Sequence, residues 1–289
     1  MGKINFHYFI IKMFRHFKLN PAIIILVLLN TTYFTGFAQE TLQSPEPLRT
    51  DTFPVNDFDA RDIKTDGPMQ TIGISTMRKG FAQVELSAMY SQLNTTTSAI
   101  TGQALVRLGI SSWLEARLML QEGSQRLKFF DQAPQSIFPF STGFKAKILE
   151  ARLRRPGIAF VGQLQLPVNS HIKENSTYWS PLLRLCIKEN LSSKFNLQMN
   201  VGFMQQAFSR NTGWTSSVMT TYQHNSKFRF FAEYFGRYSE KTLPTHAIDL
   251  GILYQNGSNY QIHLSAGSSV LKTGAISFVN AGFSFRLPG

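Results

Sequence analysis

The sequence predicts an all-β chain: a transmembrane antiparallel up-and-down β-barrel of about twelve strands, preceded by a signal peptide and an irregular N-terminal segment. Three observations carry this. A basic, then apolar, start is followed by no second long apolar run. Segments of roughly ten residues alternate apolar with polar side chains from Gly80 to Leu287. The connections between those segments alternate short and long, as they do when successive strands cross a membrane in opposite directions.

Residues 1–38 read as the signal peptide. Lys3, Lys12, Arg15 and Lys18 stand without an acid before the apolar run from Ala22 to Leu29. Gly36 and Ala38 place small residues three and one positions before Gln39, which suits cleavage there. Met13 is an alternative start, and an uncleaved anchor is the alternative reading. After residue 40 nothing approaches the roughly 18–20 apolar residues of a membrane-spanning helix. Removing the leader takes Lys+Arg from 29 to 25 against 17 acids, a balance of +8 rather than +12. For an exported chain that excess does not point to nucleic acid. The single cysteine, Cys186, excludes an intrachain disulfide.

Residues 39–79 form the irregular N-terminal segment. Pro45, Pro47, Pro54 and Pro68 interrupt a polar stretch with no sustained period. It is a candidate plug or gate, folded back into the lumen of the barrel at 80–289.

Strands are predicted at 80–92, 98–110, 113–122, 140–153, 158–168, 178–188, 195–207, 213–223, 228–239, 246–255, 259–269 and 275–287. In the first, Val84, Leu86, Ala88 and Tyr90 oppose Gln83, Glu85 and Ser87. In the second, Ala104, Val106 and Leu108 oppose Arg107; in the third, Leu114, Ala116, Leu118 and Leu120 oppose Glu115 and Arg117. Phe144, Ala146 and Ile148 then oppose Lys145 and Lys147, and Leu183, Leu185 and Ile187 oppose Arg184, Cys186 and Lys188. Leu197, Met199 and Val201 oppose Gln198 and Asn200. Phe228, Phe230, Ala232 and Tyr234 oppose Arg229, Glu233 and Arg237, while Ile248, Leu250 and Ile252 oppose Asp249. The even-numbered connections are short and turn-like, whereas 123–139 and 169–177 are long and face outward; the eleventh, around Thr273 and Gly274, is unexpectedly tight.

A soluble β-protein would point its apolar face into a core. With 25 phenylalanines and nine tyrosines and no apolar helix, the inverted arrangement is favoured, in which the apolar face meets outer-membrane lipid. Trp113, Trp179 and Trp214 at strand starts fit the aromatic girdle at the membrane interface. The polar face then lines a channel with Glu85, Arg107, Glu115, Arg117, Lys145, Lys147, Arg184, Lys188, Arg229, Glu233, Arg237, Asp249, His263 and Arg286. Basic groups outnumber acids there, which would favour anionic solutes. For any one of these residues the reading preferred is pairing across a closed lumen, since small barrels are often filled by their own side chains.

Catalytic chemistry is not expected. His263 and Ser265 share a strand face, but two residues along a strand is roughly 7 Å, long for a Ser–His pair. No Cys/His spacing suggests a metal, and no Gly-rich loop suggests a phosphate. No cofactor is expected.

Several segments together resemble the outer-membrane β-barrel family associated with the meta-pathway of phenol degradation, whose members are often called transporters. They are Asp62-Ile-Lys-Thr-Asp-Gly-Pro-Met-Gln-Thr71, Lys79-Gly-Phe-Ala-Gln-Val-Glu85, Val106-Arg-Leu-Gly-Ile110, Leu114-Glu-Ala-Arg117, Gly143-Phe-Lys-Ala-Lys-Ile-Leu149 and Ala159-Phe-Val-Gly-Gln-Leu-Gln-Leu-Pro167. Phe231-Ala-Glu-Tyr234, Asp249-Leu-Gly-Ile-Leu-Tyr254 and Ala281-Gly-Phe-Ser-Phe-Arg286 close the series. The resemblance implies a Gram-negative outer-membrane location, insertion by the barrel-assembly machinery and a transport role. It supplies no agreed substrate and no catalytic residues. Gly67 stands where members commonly carry a basic residue, and the chain ends Leu287-Pro-Gly289 rather than on an aromatic, so Phe285 is the candidate assembly signal. The expectation is a passive channel for small, aromatic or anionic, solutes. Its rivals are a non-conducting scaffold or adhesion barrel that binds through the loops at 123–139 and 169–177, and, more remotely, a membrane hydrolase.

Overall fold

The computed structural model describes residues 63–66, 69–127, 140–152, 155–166, 179–205, 210–239, 243–257, 259–270 and 277–287. The signal peptide, residues 39–62, Gly67 and most of the two long loops lie outside them.

Twelve strands follow in order: β1 (Ala82–Gln92), β2 (Thr97–Gly109), β3 (Leu114–Leu127), β4 (Phe140–Leu149), β5 (Gly157–Leu166), β6 (Ser180–Asn190), β7 (Phe195–Gln205), β8 (Thr212–Gln223), β9 (Phe228–Ser239), β10 (Thr245–Asn256), β11 (Tyr260–Ser269) and β12 (Ser277–Leu287). Each pairs antiparallel with its sequence neighbour, and β1 pairs with β12 from Ala82↔Leu287 to Gln92↔Ser277. The sheet therefore closes on itself, each strand paired with a neighbour on both sides, the condition for placing strands in lipid.

The predicted alternation sets the two faces. Along β11, Gln261, His263 and Ser265 are buried while Ile262, Leu264 and Ala266 are exposed. Leu86, Leu120, Phe144, Ile148, Phe230, Ile248 and Leu250 likewise stand on the outer surface, Leu250 at 66% exposure. Charged side chains such as Arg107 and Lys145 are almost wholly buried within the ring. This is the inversion expected of a membrane barrel. Trp113 is exposed at one end of the barrel, Trp179 and Trp214 at the other, as a girdle at both interfaces requires.

Connections on the side of the chain termini span 110–113, 150–156, 191–194, 224–227 and 257–259; those on the far side include 128–139 and 167–179. Short turns on one side and longer loops on the other orient the termini toward the periplasm. The ends of β3 and β4 differ most from the sequence reading. β3 runs on through Gly123 to Leu127, because residues 121–127 pair with 97–103 of β2 and the ladder outweighs the turn propensity of one glycine. β4 ends at Leu149 rather than at 153, and its register with β5 shifts between Lys147 and Leu149; the turn predicted at Thr273 and Gly274 lies outside the described residues.

The apolar core lies inside the ring. Ile72 and Ile74, from the segment before β1, pack with Ala159, Val161 and Cys186 of β5 and β6. Met69 packs against Met219, Phe231 and Leu253 of β8, β9 and β10. Space for Ile74 comes from Gly157, where an added Cβ would fall 2.2 Å from the Ile74 Cδ1.

Candidate functional site

The residues before β1 have no secondary structure, yet Ile63, Asp66, Thr71, Ile72, Ile74 and Met77 are all buried. Buried backbone N–H and C=O groups must find partners, and here the barrel wall supplies them. Asp66 N–H donates to Glu85 Oε2 at 2.8 Å, and Met77 N–H to Glu115 Oε2 at 2.8 Å. Gln70 and Thr71 N–H both donate to the Glu233 carboxylate, at 3.1 and 2.5 Å. Asn200 bonds Ile72 twice, accepting from its N–H at 2.6 Å and donating to its carbonyl at 2.9 Å. The carbonyl of Lys64 accepts from Gln83 and Arg107, that of Ser75 from Arg107 and Lys145, and that of Gln70 from Arg184 at 2.8 Å. Thr65 and Thr71 add side-chain bonds to Gln261 and Ser217.

The partners trace the path. Residues 75–77 and 63–66 meet side chains near the terminus-side ends of β1 to β4 and β11, whereas 69–72 meet the middle of β6 to β10. The segment thus rises to about half height, turns near Gln70, and descends into β1.

Five of the fourteen predicted channel residues meet the segment in one buried ion cluster. Arg107 reaches Glu115 at 2.8 Å and Glu85 at 3.1 Å. Arg117 pairs with Glu115 at 2.9 Å and with Asp66, and Lys145 pairs with Asp66 at 2.5 Å. Asp66 also lies 3.7 Å from Arg107 Nε. Three cations face three acids, and the third acid comes from the segment. Burial alone would raise the Asp66 carboxyl, but Arg107, Lys145 and Arg117 outweigh it and hold the group well below the usual carboxylate range.

The remaining nine are spread over the wall. Glu233 binds the turn of the segment, with Asp249 directly opposite it in register and also buried. His263 is buried, and neither ring nitrogen has a hydrogen-bond partner among the described residues, so it forms no bond with Ser265. Its ring packs against Gly282, where an added Cβ would meet it at 2.1 Å. Arg229 donates to Gln223 at 2.8 Å, and Lys147 pairs with Glu150 near the rim. Lys188 and Arg286 are partly buried near the terminus-side ends of β6 and β12. Arg184 and Arg237 line a cavity of about 260 Å³ in the far half of the lumen, floored by Gln70.

Gln83 and Asn200 were read as polar-face residues, but neither they nor Asp66, Ser217 and Gln261 were among the predicted channel residues. A signal for the segment was present, however: Leu105, Val161, Met219, Phe231 and Leu253 are apolar residues on the polar, inward face, and such residues need a covering partner.

Residues 65–287 match the family described as "Putative MetA-pathway of phenol degradation". The fold is similar to that of the COG4313 outer membrane channel from Pseudomonas putida F1, with a TM-score of 0.58 at 9% identity over 74% of this chain and 98% of that one. It is also similar to the NanC porin, with a TM-score of 0.52 at 10% identity over 71% of this chain and 100% of the other. No curated protein sequence matches. A closed antiparallel barrel with an apolar outer surface is the bacterial outer-membrane way of crossing lipid, and this chain is a lipid-embedded protein of the Gram-negative outer membrane.

Proposed function

The chain belongs to the MetA-pathway of phenol degradation family, and from that premise we propose that it is a passive channel for small anionic or aromatic solutes whose lumen is closed by its own segment 63–79. The observation that carries this reading is the bonding of the segment. Its backbone is held almost wholly by side chains of the barrel wall rather than by secondary structure. A stretch bonded only through side chains can be released without breaking a single strand pairing, which is what a gate requires.

Once the segment leaves, the inner wall exposes Arg107, Arg117, Lys145, Arg184, Arg229 and Arg237 against Glu85, Glu115, Glu233 and Asp249. That excess of positive charge raises the local concentration of anions and excludes cations. The channel role needs no reacting group, and each buried acid has a bonding or packing task instead. The chain would reach its membrane through the barrel-assembly machinery, with the β12 aromatic Phe285 as the recognised group.

The test is single-channel conductance in planar bilayers of the refolded, leader-free chain against a variant lacking residues 40–75, with anion and cation permeabilities compared. The proposal expects rare or small steps from the full chain and large, anion-preferring steps from the variant. Equal conductance of the two would remove the gating role. A variant that never conducts would make the protein a scaffold whose lumen serves only to hold its own segment.

A further inference from the structure

We propose that the far half of the lumen is a binding site for a single-ring aromatic carboxylate, held between the guanidinium groups of Arg184 and Arg237 and against the rings of Phe235 and Phe278. The proposal deepens the channel reading by naming the solute class, and rests on that reading for the solute's route.

The site follows from strand register. Arg184 of β6 pairs with Gly202 of β7, Gly202 with Thr215 of β8, and Thr215 with Arg237 of β9. The two arginines therefore stand on one row across the sheet, three strand spacings or about 14 Å apart along the wall. Only a glycine and a threonine lie between them. An arginine side chain spans about half that distance, so both can reach one anion placed over Gly202 and Thr215.

The two arginines lack a contact ion pair among the described residues, Glu233 acting on Arg184 only from a distance. The cavity is lined by Met89, Phe235 and Phe278, by serines and threonines, and by the two arginines, with no aspartate or glutamate among its lining residues. Among the described residues no carboxylate lies within ion-pair distance of either arginine, whereas Arg107, Arg117 and Lys145 in the same lumen each touch at least one. Arg184 donates one N–H to the Gln70 carbonyl and leaves its buried Nε without a partner. Arg237 has no described hydrogen-bond acceptor. The half-buried guanidinium of Arg184, without a contact counter-ion, is satisfied by an arriving anion, and Arg237, exposed to the lumen, is open to the same anion. Its planar fork fits a carboxylate in bidentate fashion.

Beside the charge stands an apolar surface, with Phe235 two residues from Arg237 on the inward face of β9. Phe235 and Phe278 face each other with ring centroids 6.0 Å apart and tilted by 53°, the arrangement against which a third ring packs edge or face on. A cavity of about 260 Å³, roughly nine waters' worth of matter, accommodates one substituted ring. Charge and rings side by side in one cavity select a molecule that carries both.

Benzoate is the probe. Isothermal titration of the refolded full chain should show benzoate binding, with acetate, which lacks the ring, and benzamide, which lacks the charge, each at least tenfold weaker. Arg237→Ala should weaken benzoate at least tenfold and Phe235→Ala severalfold, while Arg152→Ala, in an exposed turn, should leave it unchanged. Arg184→Ala also loosens Gln70, so Arg237→Ala is the deciding variant. Absence of benzoate binding, equal binding by Arg237→Ala and the unaltered chain, or acetate binding as tightly as benzoate would each overturn the site. Conductance of the chain lacking 40–75 separates the two ideas. A conducting variant beside a full chain that ignores benzoate sinks the site and keeps the channel; benzoate binding beside a variant that never conducts keeps the site and sinks the channel.

Discussion

Two halves of the same lumen treat arginine in opposite ways. Toward the chain termini, Arg107 is 1% exposed and touches Glu115, Glu85 and Asp66; toward the far side, Arg237 stands in a cavity with no described acid. Both lie on the inward face of one closed sheet, so strand geometry does not distinguish them. What differs is the segment. Where 63–79 fills the space, water is excluded, and each cation must find a fixed anion; where the segment turns back at Gln70, space remains and the cation is left for something that arrives. The balanced half holds a structure together, and the unbalanced half is available to a solute.

This contrast can be broken most forcefully at Arg107. Arg107→Ala leaves Glu85 and Glu115 buried without their main partner, and truncating one member of a buried charge network costs about 3–5 kcal/mol. Thermal unfolding of the refolded barrel should fall, and the segment should become open to added protease. Asp66→Asn is the next largest. It leaves three cations against two acids and weakens charge-assisted bonds to Lys145 and Arg117, each worth about 1.5–3 kcal/mol. The channel's open probability should rise by one to two orders of magnitude while the β-content by circular dichroism stays the same.

Ile74→Ala tests the apolar part of the same anchor. The residue packs with Ala159, Val161 and Cys186, and a buried isoleucine truncated to alanine costs about 2 kcal/mol at the low end. Open probability should rise less than with Asp66→Asn. Acidity probes Asp66 again. Its carboxyl is held below the ordinary aspartate value of 3.8, so its contribution is fully present above that pH and is lost as pH falls through the lower, folded value. Asp66 alone should therefore keep the segment seated from neutrality down to about pH 4 and release it only in stronger acid, a dependence that Asp66→Asn abolishes. The smallest effect is expected at Arg237. Arg237→Ala should leave thermal stability within about 0.5 kcal/mol, the reverse of Arg107→Ala, and a large loss there would erase the distinction between the halves.

Most of the barrel was legible because a strand in lipid has only two environments, and period-two alternation records them directly. β9 spans the residues predicted, and most other ends fall within two residues. β3 ran past its predicted end because pairing with β2 is a non-local reward that local turn propensity does not contain. The polar face of the strands was likewise readable, and Glu85, Arg107, Glu115, Arg117 and Lys145 lie buried on it within one ion cluster. What alternation could not give was the sixth member. Asp66 belongs to a stretch without period, and its place follows from the barrel that surrounds it rather than from its neighbours in sequence. The inward apolar residues Leu105, Val161, Met219, Phe231 and Leu253 were the available hint. Read as exceptions to the polar face they say little; read as a surface in need of a cover they point to Met69, Ile72 and Ile74.

The central claim is that segment 63–79 closes the lumen and can leave it. Thr71 Oγ1 and Ser217 Oγ lie 2.8 Å apart, so cysteines at both positions, in a chain with Cys186→Ala, can be joined and released chemically. Single-channel recording of that variant before and after dithiothreitol is the most direct measurement. The account predicts silence while the disulfide is intact and anion-preferring openings once it is reduced; full conductance in the oxidised form would contradict it.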